Sequence, residues 1–332
     1  MSKILLGHGS GGKLMHELIK KYIAPVFELP SLMDSAIVSL NHNGKIAITT
    51  DSYTVSPIFF PGGDIGDLAI NGTVNDLAVV GAKPLYLTVG FILEEGFPIS
   101  DFERILKSIT LATKQAKVKI VAGDTKVVDK GKGDGIFINT SGIGVIPDEI
   151  DLSPLKIEEG DKVIISGSIG NHGIAVMSER NGFTFDPPVL SDTRPLNGII
   201  AEILKAYPTS VRVMRDPTRG GLATTLKELA LESNRDILIY ENSIPLHDTV
   251  RGACELLGLD PLYVANEGIF VGIVKAEDAE KILTIMKSHP FGKESAIIGE
   301  VKSMGGRVLL KTSIGGTRMV DMLPGEQLPR IC

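Results

Sequence analysis

The 332-residue sequence has only two cysteines, Cys254 and Cys332, far apart in the chain. That excludes a disulfide framework as the basis of the fold and predicts a reducing compartment. There is no basic excess either, since 34 Lys and Arg face 40 Asp and Glu for a net charge of −6. Nucleic-acid binders present a basic field, so no nucleic-acid partner is expected. No apolar run approaches the ~20 residues needed to span a bilayer, and no membrane partner is expected. The opening stretch MSKILLGHGSGGK has no signal-peptide cleavage site, so the reading is a cytoplasmic protein. Neither HExxH nor CxxC occurs, and the six histidines show no ligand spacing. A zinc site is therefore not expected.

Glycine, by contrast, is abundant at 37 residues, about 11% against a typical ~7%. Such a surplus marks tight turns and loops that approach a ligand. Hydrophobic residues make up 43% and charged residues 22%, a globular composition. The length exceeds one ordinary core, so two domains are expected. Apolar segments and turn signals place a strand over 3–6, a helix over 13–23, and strands over 36–40 and 45–50. A helix over 65–80, a strand over 84–93, a helix over 100–117 capped by Ser100 with Glu103, and strands over 118–122 and 135–146 follow. The acidic stretch 147–160 reads as a linker. Beyond it the same alternation of strands and helices resumes through 287. The expected architecture is α+β: a first domain over 1–150, a second over 151–312, and a flexible tail over 313–332.

Three groups of residues suggest chemistry. Asp51, Asp76 and Asp124 each stand at or near the end of an apolar segment, Asp34 just before a strand, and Asp64 and Asp67 at a helix start. Carboxylates gathered on one sheet rim repel unless a cation lies between them, and Mg²⁺ on nucleotide phosphates is the usual solution. Each aspartate could equally cap a helix or a turn. Gly7 to Lys13 resembles a phosphate-binding loop, but Leu14 stands where that motif needs Ser or Thr. A glycine flap using Gly11, Gly12 and Lys13 is the milder reading, and a plain turn the simplest. The loops 167–173 and 215–221, the second containing Arg219 and Gly220, precede helices and suit an anion at a helix N-terminus. Each is also an ordinary tight turn.

Cys254 reads as a buried core thiol. Cys332 is the last residue, on a stretch with three glycines and two prolines after Ile314. A thiol there brings no packing benefit and is open to oxidation. From Met322 the chain extends roughly 35 Å at ~3.5 Å per residue, enough to carry the thiol into a site and out again.

The run TTDSYTVSPIFFPGGDIGDLAINGTVNDLAVVGAKPLYLTVGFILEEG, then VAGDTKVV, then MRDPTRGGLATTLKELA, resembles the aminoimidazole-ribonucleotide synthetase superfamily over essentially the whole chain. Thiamine-phosphate kinase and selenophosphate synthetase belong to that group. HGSGGK near one end and PRIC at the other are similar to its hydrogenase-maturation members. The resemblance implies two α+β domains, a homodimer, and ATP held mainly by the first domain. It also implies that Cys332 receives a carbamoyl group from a HypF carbamoyltransferase. ATP-dependent dehydration would convert the S-carboxamide to a thiocyanate, and a HypC–HypD iron-carrying complex would take the cyanide. Amide oxygen is a poor leaving group and phosphate a good one, so phosphorylation of that oxygen drives the step. Asp51, Asp76 and Asp124, with Asp34 and Asp64 behind them, are then the magnesium and nucleotide candidates. Lys13, Gly11, Gly12, Arg219 and Gly220 are the phosphate candidates. Glu267 in VANEGIF is the candidate base for the two N–H protons, and Lys126 the group that orients the carboxamide; His8 and His172 are weaker choices. Selenophosphate synthetase would need a reactive Cys in the first glycine loop, which has none. The kinase and the synthetase leave the terminal thiol without a task. A non-catalytic scaffold, or an enzyme acting on a free small molecule, are the readings from other classes.

Overall fold

The computed structural model describes residues 12–18, 20, 36–39, 44–323, 325, 328 and 330–332. The first half runs α1 (Lys13–Leu18), β1 (Ala36–Ser39), β2 (Lys45–Tyr53), β3 (Phe59–Phe60), β4 (Gly63–Asp64) and α2 (Ile65–Val79). It continues with β5 (Lys83–Glu94), α3 (Ile99–Ala116), β6 (Lys119–Val128) and β7 (Ile136–Ile146). Its five-stranded sheet has the order β1-β2-β7-β5-β6, antiparallel except between β5 and β6. The strand expected over 3–6 lies outside the described residues.

Strict alternation along β7 turns Ile136, Ile138, Thr140, Gly142 and Ile146 inward, onto α2. All of α2 is buried except Asp67 and Asp76. Such a helix must be covered on every side, its buried Asn71, Thr73 and Asn75 included. The first sheet, α3 and the second half of the chain do so. Asp64 caps α2, accepting from the N–H groups of Gly66 and Asp67, while Asp67 accepts from the N–H of Asp64 at 3.0 Å. The capping box is therefore here and not at Ser100 and Glu103. Helix α3 begins one residue earlier than expected, with Pro98 as its N-cap and no side-chain cap bond.

The second half runs β8 (Lys162–Ile165), α4 (Asn171–Asn181), α5 (Asn197–Ala206), β9 (Val211–Arg215), α6 (Gly221–Ser233) and β10 (Arg235–Tyr240). Then come α7 (Asp248–Leu257), β11 (Val271–Val274), α8 (Ala279–Ser288), β12 (Ala296–Met304), β13 (Val308–Lys311) and β14 (Thr317–Val320). Its sheet has the order β14-β13-β10-β12-β8-β11-β9. Three of these strands follow 287, beyond the alternation expected from the residues. The two halves share a core: Leu77, Ala78 and Val79 of α2 pack with Ile146 on one side and Leu196, Ile199, Ile203, Met214 and Phe270 on the other. Cys254 is buried, as expected, and its thiol is pushed up to about 12 by burial.

Two expectations change here. Strand β6 does not stop at Ala122 but continues through Asp124 to Val128, because Gly123 fits against the Val89 carbonyl, where a Cβ would approach to 2.8 Å. Asp124 therefore sits within an edge strand instead of on a rim. The tail expected to be flexible from 313 is partly sheet, since Thr317–Val320 is β14, paired antiparallel with β13.

Candidate active site

The final residues lie along the chain just past β2. Thr54 N–H donates to a terminal carboxylate oxygen of Cys332 at 3.1 Å, and Ser56 N–H to the Arg330 carbonyl at 3.2 Å. These two bonds run in antiparallel order, Thr54 to Cys332 and Ser56 to Arg330, though Arg330 is left-handed at φ +49° and the tail forms no strand there. Ile331 is buried at 2% exposure, in the cluster that holds Tyr53, Val55 and Ile65. Arg330 gives Nε to the Thr54 carbonyl at 3.0 Å and pairs with Asp134. Two N–H groups just past β2, an apolar slot and a carboxylate thus hold the terminus on the first half of the protein.

Docked there, Cys332 shares its surroundings with Arg219, Glu267 and Asp51. Burial pushes its thiol up to about 12, with Arg219 opposing and Glu267 and Asp51 adding to the rise. The thiol is protonated at neutral pH and a poor nucleophile while docked.

Glu267 belongs to an Asn-Glu-Gly turn in which each residue has a different task. Asn266 ties two loops together: its Oδ1 accepts from Gly170 N–H at 2.6 Å and its Nδ2 donates to the Pro217 carbonyl at 2.8 Å. Gly268 lets Asp192 close over the turn, because a Cβ would come within 1.7 Å of the Asp192 carbonyl oxygen. The Asp192 carboxylate then accepts N–H from Glu267 at 3.2 Å and from Gly268 at 3.0 Å. Glu267 is left 3% exposed, its Oε1 buried and accepting no hydrogen bond among the described residues. Burial, then Asp216, Asp192 and Asp51, raise its pKa well above the carboxylate range, against the pull of Arg219.

Arg219 is brought in by the loop between β9 and α6. Gly220 N-caps α6, and both glycines are left-handed, with φ +78° and +61°. At Gly221 a Cβ would also meet the Leu262 carbonyl at 2.5 Å. Arg219, Gly220, Gly12, Leu328 and Ile331 line one cavity of about 20 Å³, room for a water and not for a nucleotide. The first glycine segment meets the tail here, Lys13 N–H donating to the Leu323 carbonyl at 2.7 Å. The Lys13 side chain is exposed.

Among the acids, Asp51 and Asp76 come together around Tyr53. Both raise the pKa of this buried phenol, after burial itself, and Glu267 does so more weakly. Asp76 Oδ2 accepts the Thr49 hydroxyl at 2.9 Å. Burial raises the pKa of Asp51, with Arg219 opposing. Asp64 is occupied at the start of α2, where the Ser108 hydroxyl also donates to it. Asp124 pairs with Lys126 at 2.9 Å, both side chains about two-thirds exposed at 67% and 70%. Asp34, Gly11 and His8 lie outside the described residues. No three His, Cys, Asp or Glu side chains stand together as a metal set among the described residues. The donors present still suit a magnesium nucleotide. Two carboxylates near Tyr53, one made unfavourable by burial, plus phosphate oxygens would form an all-oxygen set, and the cation would relieve that burial cost.

Comparison with known proteins gives the family. The model of AIR synthase related protein, N-terminal domain, matches residues 32–146, and that of the C-terminal domain matches 158–311. The chain is 50% identical over 329 residues to carbamoyl dehydratase HypE of Azotobacter vinelandii, covering 98% of this chain and 96% of that protein. The chain belongs to the AIR synthase related family, in its HypE branch. Carbamoyl dehydratase HypE of Escherichia coli K12 is 42% identical over the full length of both chains. Among HypE structures, a HypE–HypF complex superposes with a TM-score of 0.87 at 50% identity, covering 92% of this chain and 99% of that one. A HypE bound to ATP superposes at 0.84 with 46% identity, covering 99% and 100%. The two-domain α+β fold expected from the resemblance is the HypE fold.

Asp192, Tyr53, Asn75 and Asn266 build the surroundings of these side chains, and the residue pattern did not single them out. Asp192 lies in an irregular polar stretch with no periodicity around it. Asn75 is adjacent to Asp76 and clamps the two halves, donating to the carbonyls of Arg194 at 3.1 Å and Glu267 at 3.2 Å. An amide beside Asp76, among the apolar residues of α2, is the signal that could have marked it.

Proposed function

We propose that this protein dehydrates a carboxamide carried on its own Cys332 sulfur to a thiocyanate, at the expense of ATP. The observation that carries the reading is the docked terminus, which sets the thiol beside a buried glutamate and an arginine. The amide oxygen attacks the γ-phosphoryl group of ATP, forming an O–P bond and releasing ADP. The C–O bond then breaks, phosphate leaves, two N–H protons depart and S–C≡N remains. Glu267 is the base: a carboxylate buried beside other carboxylates holds a proton more tightly than usual, which is what abstraction from nitrogen requires. Arg219, the cation of the group, offsets negative charge as the amide oxygen is phosphorylated. Asp51 and Asp76 would hold Mg²⁺ with the nucleotide, and the ion would supply charge neutralisation on the phosphates.

The loading step takes place elsewhere. A thiol raised to about 12 is unreactive when docked, so Cys332 accepts its carbamoyl group with the tail released, from a HypF-type transferase. The carboxamide and the thiocyanate are uncharged and carry no such penalty among carboxylates. A HypC–HypD complex would take the cyanide, and the reading places all of this in the cytoplasm. No described helix is long and apolar enough to cross a membrane.

The homodimer fits the first sheet. Its face away from α2 exposes Ile48, Tyr86, Ile92, Ile143 and Val145, each at 40–45%. A contiguous apolar face of this kind marks an interface. Asp124 and Lys126 stand on the edge strand β6 of the same sheet, so a second copy would be the place where they meet a site. The division 1–150 and 151–312 is supported by the two matched domain models.

The intact mass of the full chain tests the reading. Incubation with the transferase and its substrates should add one carbamoyl group to Cys332, and ATP with Mg²⁺ should then remove one water. A chain that keeps its carboxamide with ATP present, or loses water equally well without ATP, refutes it. Activity on a free substrate that survives deletion of residues 330–332 would favour a small-molecule enzyme instead.

A further inference from the structure

Two side chains that take no part in this chemistry hold the docked tail. His172, in the first turn of α4, is wholly buried and places Nε2 2.8 Å from the Ile331 carbonyl and Nδ1 2.8 Å from the Ser191 hydroxyl. A carbonyl only accepts, so Nε2 carries the proton and Nδ1 accepts from Ser191. Ser191 Oγ in turn receives Thr193 N–H at 3.2 Å. Phe60 fixes the plane of the ring edge-on at 5.4 Å. At the far end of the same helix, Arg180 gives Nε to the Ser56 carbonyl at 2.8 Å and Nη2 to the Arg330 carbonyl at 2.8 Å. It thereby bridges the segment just past β2 and the tail that pairs with it.

The carbonyls of Arg330 and Ile331 belong to the last two peptide bonds. Fixing both sets the direction in which the Cys332 side chain leaves the backbone. We propose that His172 and Arg180 are positioning residues that clasp the main chain of the tail and aim the Cys332 sulfur at Glu267 and Arg219. This rests on the dehydration reading. Because the clasp takes main-chain oxygens and no part of the cysteine side chain, it accepts thiol, carboxamide and thiocyanate alike. A loaded tail therefore docks through contacts already made by the unloaded one. A tail that leaves for a partner must break both.

The test uses full-length protein and two independent readouts. Iodoacetamide labelling of Cys332, followed on the C-terminal peptide, reports how long the tail stays docked; buried Cys254 serves as the internal reference. Arg180→Met and His172→Leu should each speed labelling about tenfold or more, the scale of one lost strong hydrogen bond. In single turnover each should slow ATP-dependent loss of water from the carboxamide by a similar factor, without slowing carbamoyl loading by the transferase. His172→Gln retains an N–H donor and should recover part of both effects. Labelling at the wild-type rate in Arg180→Met and His172→Leu overturns the proposal, as does an equal fall in loading and dehydration. If His172→Leu does not fold, the half-buried Arg180 variant decides alone. If the wild-type protein itself never loses water with ATP, the dehydration reading fails, while labelling still decides the clasp.

Discussion

Replacing Glu267 with Gln keeps the volume of the side chain and removes both its charge and its basicity. The wild-type carboxyl is 3% exposed, with Asp216, Asp192 and Asp51 as neighbours, and its pKa is raised well above the ordinary value. A general base contributes about 10²–10⁴ in rate, or roughly 3–5 kcal/mol of barrier. The Gln variant should lose that much in the dehydration step while still binding nucleotide. The same change should stabilise the fold at high pH. A folded-state pKa above the unfolded one means that the native state keeps a proton the unfolded chain releases. Stability therefore falls as pH rises from the unfolded value toward the folded one. Gln has no proton to lose, so its advantage over wild type should grow with pH, to about 1 kcal/mol or more, the scale of one poorly paired buried group. Single-turnover mass spectrometry and urea melts at several pH values measure the two effects. A Gln variant that dehydrates at the wild-type rate would end the case for Glu267 as base. One that becomes less stable than wild type as pH rises would show the carboxylate to be well satisfied in the fold.

Other predictions follow from neighbouring features. Gly268→Ala puts a Cβ 1.7 Å from the Asp192 carbonyl oxygen; the turn must open, at about 1–3 kcal/mol, and urea melts should show that loss together with slower dehydration. Asp67, raised to about 7 by burial, should make the protein less stable as pH climbs from about 4 to about 7; Asp67→Asn should remove up to about 4 kcal/mol of that fall, read as the difference in melts across that range. Ile143→Glu places a charge on the exposed apolar sheet face. It should shift the protein to monomer in size-exclusion chromatography and slow turnover, and a dimer that persists would refute the interface.

Much of the site is legible in the residues alone. Glu267, Arg219, Asp51 and Cys332 are each marked by their motifs, and the fold brings them together. Asp76 joins them through Tyr53, at the end of a helix legible from its apolar run. Asp64 and Asp124 carry the same signal, an acid beside an apolar segment, yet one caps a helix and the other points out from an edge strand. Local pattern says where a carboxylate can stand along the chain, but the direction of its side chain depends on where the strand ends. Gly123 carries β6 past the expected end. The capping box shows the same limit: Ser100 and Glu103 have the right spacing, but α3 starts earlier, at Ile99 with Pro98 as its N-cap.

Taken alone, the order of residues pointed to most elements of the first half, to the family and to a task for the terminal thiol, because these depend on short-range periodicity and on motifs contiguous in the chain. Tertiary structure decided what the tail does. Its last three residues have no periodicity to read, and their place is set by partners far away in the chain: Thr54 and Ser56 just past β2, His172 and Arg180 on a helix, and an apolar slot for Ile331. Contacts between residues so widely separated exist only once the sheet and α4 have packed, so no local stretch of sequence could carry them.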